Sequence, residues 1–296
     1  MTNAVSSQGW AQLILGMIAD YRADFESALH WQTRSLAAFE TCDDLFGRAL
    51  ALHTLGVTRQ AQGNVSQARE YLDAGLALHR QIGSVWGIAF TQSNFGTLAQ
   101  TEGNLAEARE RLQESFALFG VIGSEGGLGI VSNSLGLLAL QQGDVERAAE
   151  LLQECLSHFE KIGDQPGIAR AWFSLGWLDL RRGDCELAQT KARGGLQLRY
   201  QLGDPVGIAE CWELLAQIAV VQGRFARAAQ LAGAAEQLRE QIGSGQFIIA
   251  RSIHTQAQNE MRQQLGEAAF AREWARGQTR TVEESVRAAM VSTNGD

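Results

Sequence analysis

The chain has 296 residues, 45% of them hydrophobic and 20% charged, with a formal net charge of −8, which excludes a low-hydrophobicity disordered chain and a collagen-like or coiled-coil rod. Two prolines against 32 glycines is too little proline for a loop-rich or all-β chain, so helix is the economical reading. The acidic balance argues against a broad nucleic-acid or anionic-membrane surface, because both polyanions would be repelled.

At the N-terminus, Met1–Ser7 lacks a basic start followed by an apolar core. No apolar run is long enough to span a bilayer, so a cytoplasmic protein is expected. Trp10, Leu13 and Met17 fall on the first helix, whose outer side no preceding helix covers. Gly16 then opens a register that returns every 40 residues, at Gly56, Gly96, Gly136 and Gly176, with Ala216 in the sixth place. Three further glycine columns keep the same clock. They hold Gly47, Gly87, Gly127, Gly167 and Gly207; Gly63, Gly103, Gly143, Gly183 and Gly223; and Gly83, Gly123, Gly163, Gly203 and Gly243. Alanine follows at Ala28, Ala68, Ala108, Ala148, Ala188 and Ala228. Such a period marks a solenoid of stacked units.

Two of the glycine columns close helices. Gly63 and its equivalents follow the end of an apolar-periodic run, where the left-handed conformation stops a helix, and Asn64, Asn104, Asp144 and Asp184 can cap the next one. The Gly83 column repeats the device, with Ser84, Ser124, Asp164, Asp204 and Ser244 as caps. Each unit is therefore two antiparallel helices, A and B. The Gly56 column lies inside helix A, where glycine costs about 1 kcal/mol relative to alanine. Ala216 in the same column shows that the position requires a small residue, so A and B are expected to cross closely where it meets the Ala68 column. Helix B carries an apolar stripe, Ala108, Leu112, Phe116 and Phe119 in one unit and Ala148, Leu152, Leu156 and Phe159 in the next. Residues 5–243 thus read as six helix pairs in a right-handed α-α superhelix, and 244–291 as a degenerate final repeat and C-terminal cap, together one elongated all-α domain. Past Gly243 the clock decays: Phe247 replaces a glycine, Leu265-Gly266 starts a shorter stretch, and Thr281 and Glu284 stand at capping-box spacing.

The Leu-Gly pairs at Leu55-Gly56, Leu135-Gly136 and Leu175-Gly176, with the later alanine, resemble the tetratricopeptide repeat in a 40-residue form. The tryptophan that often opens helix A stands only at Trp172 and Trp212. The C-terminal stretches Phe225–Glu236, Leu265–Gly277 and Thr281–Val286 are similar to the end of the repeat array in bacterial LuxR-type and related signal-transduction ATPase regulators. In that family the array senses a small molecule, peptide or protein for an attached nucleotide switch. No G-x-x-x-x-G-K-[ST] occurs here, the only lysines being Lys161 and Lys191. The chain thus resembles a sensor domain alone, a fragment, or a stand-alone relative.

The residues offer little chemistry. The histidines His30, His53, His79, His158 and His254 form no H-E-x-x-H, and no G-x-S-x-G elbow occurs, so no metal, cofactor or catalytic residue is expected. Gly123-Ser-Glu-Gly-Gly-Leu-Gly is explained by the repeat columns rather than by a phosphate loop. Cys42, Cys155, Cys185 and Cys211 form no C-x-x-C and read as reduced, buried small hydrophobes.

The tetratricopeptide resemblance implies that helix A lines a concave groove, with ligand-facing columns two, three and six residues before the small glycine and one after it. On this chain those columns hold Thr54, Asn94, Ser134 and Ser174; His53, Ser93, Asn133, Phe173 and Glu213; Arg170 and Glu210; and Trp177 and Gln217. Polar groups beside Phe173 and Trp177 as apolar platforms suit a peptide or a small polar ligand. The alternative is a merely solvated groove with Phe173 and Trp177 in the core. The columns that carry a carboxylate clamp in chaperone-binding repeats hold His53, Val57 and Ser93, so that clamp is absent. The resulting expectation is a non-enzymatic scaffold for a protein or peptide partner, or a small-molecule effector, as part of a bacterial regulator, with no direct nucleic acid or membrane contact. The runner-up is a plain adaptor that uses its outer face.

Overall fold

The computed structural model describes residues 2–244 and 248–291, and the elements among them are all α-helices. Six pairs come first, A then B: α1 (Thr2–Tyr21) with α2 (Phe25–Thr41), α3 (Leu45–Ala61) with α4 (Val65–Gln81), α5 (Val85–Thr101) with α6 (Leu105–Ile122), α7 (Glu125–Gln142) with α8 (Val145–Ile162), α9 (Gln165–Arg181) with α10 (Cys185–Leu202), and α11 (Pro205–Val221) with α12 (Phe225–Ile242). The helices α13 (Ile248–Leu265), α14 (Glu267–Gln278) and α15 (Val282–Met290) complete the chain. Packing divides it into two compact units, the first ending at Leu138 and the second running from Ala139 to Ile242 and on through the last three helices. No described helix is long and apolar enough to cross a membrane.

The helix-closing glycines stand at positive φ, for example +79° at Gly63 and +67° at Gly83. In the first pair those two places are taken by Ala23 and Asp43, which keep φ at 58° and 55° without being glycine, at a cost of roughly 1 kcal/mol each. The caps follow as expected: Asn64, Asn104, Asp144 and Asp184 each accept the backbone N–H three residues on, as do Ser84, Ser124 and Asp204. Asp164 makes no such bond, and the bond expected of Ser244 falls on Phe247, outside the described residues. At the C-terminal end Thr281 and Glu284 form a reciprocal capping box, the Glu284 N–H donating to Thr281 Oγ1 at 3.2 Å and the Thr281 N–H to Glu284 Oε2 at 2.8 Å. Phe247, which breaks the glycine clock, lies outside the described residues.

Helices A and B do cross at the small columns. A Cβ at Gly56 would stand 2.7 Å from Leu72 Cγ and 3.2 Å from the Ala68 carbonyl, and one at Gly96 would stand 2.6 Å from Leu112 Cγ and 3.3 Å from the Ala108 carbonyl. All six alanines of the partner column are fully buried. A second crossing point was not visible in the sequence. Ser35 and Ser115 on B helices donate to the carbonyls of Gly9 and Ala89 on their A helices, each at 2.8 Å, and Gly75 and Gly195 occupy the same register against the Ala49 and Ala169 carbonyls. The buried stripe of helix B therefore runs through Ser115 and Cys155; Phe116 and Leu156, expected on it, are half-buried.

The Gly47 column joins one pair to the next. A Cβ at Gly47, Gly127 or Gly167 would overlap the ring of Phe39, Phe119 or Phe159 at the end of the preceding B helix, and Gly87 meets His79 in the same way. In the second unit α14 lies on α12 backbone to backbone, with Gly277 against the Gln230 carbonyl and Gly233 against the Trp274 carbonyl. Of the four cysteines, Cys155 and Cys211 are buried, their thiols pushed up to about 12 by burial, while Cys42 and Cys185 are half-buried.

Because Gly96 has no room for a side chain, Gly96→Leu is expected to lower stability by about 1–3 kcal/mol through overpacking. Urea unfolding checks this, and a midpoint equal to the wild type would remove the A–B crossing as a constraint.

Candidate functional site

Within each unit successive A helices pack on one another, α1 on α3, α3 on α5 and α9 on α11, while successive B helices stand farther apart. The A helices therefore hold the inside of each local bend. Side-chain bonds tie neighbouring A helices in the first unit, among them Thr58 Oγ1 donating to Asp20 Oδ1 at 2.7 Å and Gln60 Nε2 donating to Thr97 Oγ1 at 2.7 Å.

This close spacing decides where the expected groove residues sit. His53, Thr54, Ser93, Asn133 and Ser134 in the first unit are buried, as are Phe173, Ser174, Trp177, Glu213 and Gln217 in the second. Asn94 and Glu210 are half-buried, and Arg170 is exposed. Phe173 and Trp177, expected as platforms for a ligand, pack edge to face at 6.4 Å inside the second unit and are 2% and 1% exposed. They serve the core there.

What reaches solvent on the inner side of the first unit is a strip at positions that the sequence reading did not select. Trp10, Leu50 and Phe90 share the column of Arg170 and Glu210, and one turn earlier stand Phe46 and Trp86, 42% and 39% exposed. Ile14, Met17 and Tyr21 extend the strip along α1. Trp10 stacks obliquely on Phe46 at 5.9 Å, and Trp86 on Phe90 at 4.5 Å. The signal was present in the sequence, since the same 40-residue register gives Trp10, Leu50 and Phe90 as successive members of one column.

Beneath the strip lies a buried polar set. Thr91 Oγ1 donates to the Gly87 carbonyl at 2.8 Å, so it can only accept from His53 Nδ1, 3.3 Å away. His53 Nε2 then accepts from Asn94 Nδ2 at 3.4 Å. That network fits the neutral imidazole and leaves no place for a second proton. Burial, helped by the nearby His79, holds His53 down to about 4. His79 is fully buried with no partner on either ring nitrogen, and burial lowers its pKa as well. In the second unit Glu213 accepts two bonds from Arg239, from Nε at 2.8 Å and Nη2 at 3.0 Å. Burial raises the Glu213 pKa against the opposing pull of Arg239. A glutamate paired in this way is committed to its arginine.

Two outcomes follow from these buried groups. Both histidines bind a proton less readily folded than unfolded, so their stabilising effect is complete above the unfolded value near 6.5 and is lost as pH falls from there toward 4. His79→Phe supplies the residue that Phe39, Phe119 and Phe159 place in that column. It should raise the melting temperature at neutral pH and flatten its fall between pH 6.5 and 5; an unchanged pH profile would refute the assignment. Glu213→Ala leaves Arg239 as an uncompensated buried charge and should cost about 3–5 kcal/mol, read by denaturant titration.

The solved structures that resemble the chain are helical-repeat proteins. The apo form of RapI is 12% identical, with 95% of this chain and 99% of that one covered and a TM-score of 0.61. Aspartyl phosphate phosphatase F from Bacillus subtilis is 14% identical, covering 98% of this chain and 73% of that one at a TM-score of 0.63. BtubC from P. vanneervenii is 18% identical, covering 77% and 92% at 0.52. At such identities the likeness is one of fold. No curated protein sequence matches the chain significantly. The tetratricopeptide repeat profile matches residues 47–120 and 128–201, which is half of the chain, and a second profile of the same description matches 94–156. With the helix pairs, the closing glycines and the small A–B crossings already in place, the chain belongs to the tetratricopeptide repeat family.

Proposed function

We propose that this protein is a non-enzymatic scaffold that holds an extended protein segment or peptide against the inner side of α1, α3 and α5, as the sensing part of a bacterial signalling regulator. The observation that carries the reading is the exposed apolar strip of Ile14, Met17, Phe46 and Trp86 bordered by the half-buried Asn94 and Thr97. A contiguous apolar strip with a polar edge is the composition of a protein contact. Aromatic side chains supply anchoring area at low entropy cost, and the Asn94 amide, steadied by the Phe90 carbonyl at 3.1 Å and by His53, can meet a partner's main chain. Of the residues carried over from the family, Asn94 in the first unit and Arg170 and Glu210 in the second have solvent access for a partner; the buried members His53, Ser93 and Asn133 act by fixing the wall behind it. The repeat scaffold itself supports a protein or peptide partner, and the regulatory role rests on the C-terminal resemblance to signal-transduction regulators.

Peptides selected from a random display library on the purified protein test this. Enriched sequences are expected to carry aromatic or large aliphatic residues, and their affinity should fall at least tenfold in Trp86→Ala with Asn94→Ala. A library that yields no binder, or binders indifferent to the double substitution, would favour an adaptor that works through its outer face.

A further inference from the structure

The second unit contains a cavity of about 590 Å³ between the start of α12 and the end of α15. Phe225, Leu231 and Leu265 line it together with Arg224, Arg227 and Arg280. A fourth arginine, Arg193 on α10, stands beside this set. Its Nε donates to the Ala289 carbonyl at 3.1 Å and its Nη2 to the Val291 carbonyl at 2.9 Å. Arg227 Nη2 reaches the same two carbonyls at 3.1 and 3.2 Å.

Those two arginines complete the C-terminal turn of α15, where cations meet the negative end of the helix. The helix end accounts for them and leaves two unexplained. Among the described residues Arg224 and Arg280 make no ion pair; Arg193, Arg224 and Arg227 are close enough to oppose one another, and Arg280 acts on the Glu284 carboxylate. Burial and Arg224 hold Arg193 below the ordinary arginine value, and burial, Arg193 and Arg224 do the same to Arg227. Gathering three like charges, with Arg280 lining the same cavity, is unfavourable in any protein, and it is conspicuous in a chain of net charge −8. An anion in the cavity would relieve that repulsion. Guanidinium groups are the side chains best shaped to take a carboxylate or phosphate through paired N–H donors. A volume of this size with apolar walls and a few convergent polar groups is that of a small-molecule site.

We propose that this cavity binds a small organic anion with an apolar body, its carboxylate or phosphate received by Arg224 and Arg280 and its body lying against Phe225, Leu231 and Leu265. Arg193 and Arg227 hold the α15 wall and add to the field. The site is separate from the inner face of the first unit and does not depend on it.

Calorimetric titration of the full chain with decanoate, decyl phosphate and decanol tests the proposal. One or both acids should bind with a stoichiometry of one, and the tighter acid identifies the preferred head group. Decanol should bind at least tenfold more weakly. Arg224→Gln with Arg280→Gln spares the α15 cap and should weaken the acid at least tenfold with the melting temperature retained. Ala288→Trp, which fills the cavity from α15 and leaves every arginine in place, should do the same and stands in for the double variant if that does not fold. Absence of saturable acid binding, equal affinity for decanol, or a loss below tenfold in the folded variants would overturn the proposal.

Discussion

The fold rests on a contact between the last turn of one B helix and the first turn of the next A helix. There the ring of Phe39, Phe119 or Phe159 lies where a Cβ on Gly47, Gly127 or Gly167 would be. A helix pair alone buries only one of its faces, so it is stable only when its neighbour lies close. Removing the β-carbon from the receiving helix lets a full aromatic side chain enter that junction without pushing the helices apart. The glycine gives up about 1 kcal/mol of helix propensity, and the buried ring returns roughly 1.5–3 kcal/mol. The balance favours the glycine at these three junctions.

The same closeness shapes the inner face. With A helices packed on A helices, a residue three positions before the central glycine points into its neighbour. His53 accordingly bonds Thr91 on the next A helix and Ser93 is buried, while Glu213 pairs with Arg239 on the B helix of its own pair. Only side chains aimed between the two flanking contacts reach water. In the first unit these include Trp10, Leu50 and Phe90, whereas in the second unit the same column turns charged at Arg170 and Glu210. The chemistry offered on the inside therefore changes along the chain while the backbone pattern does not.

Much of this was legible in the residues. Helix ends are local events, so the glycines at Gly63 and Gly83 and the caps Asn64 and Ser84 announced themselves. The A–B crossing could be read because smallness was kept through Gly56, Gly96 and Ala216. The junction of Gly47 with Phe39 was harder, because its members belong to different pairs, and no property of the Gly47 column alone names its partner. The second crossing was hidden because Ser35, Gly75, Ser115 and Cys155 share size and not chemistry. The exposed strip was missed for another reason: the family's columns were applied where polar residues stood, so Trp10, Leu50 and Phe90 were passed over in the column that supplied Arg170. Burial of Phe173 and Trp177 depends on how near the next helix comes, which sequence spacing does not state.

Similar repeats carry a hazard, since any B helix could accept the wrong A helix. The junction column answers it where it stops being aromatic. Arg199 takes the place of the phenylalanines, is 4% exposed, donates from Nη1 to the Gly207 carbonyl at 2.7 Å and to Glu210 Oε2 at 2.6 Å, and lies over the Phe173 ring at 5.0 Å. The column that holds Glu210 contains Trp10, Leu50, Phe90 and Arg170 in earlier pairs. A slip by one repeat would set Arg199 against Arg170, and a longer slip would bury it against an apolar side chain. Either mispairing takes Arg199 away from the Glu210 carboxylate, and breaking such a buried pair costs about 3–5 kcal/mol, more than the packing difference between a phenylalanine and a leucine. A buried ion pair adds little to stability compared with a hydrophobic pair of the same volume. Its value at this junction is that, in this column, α11 alone offers a carboxylate, Glu210, which favours one order of helices that composition and periodicity leave degenerate.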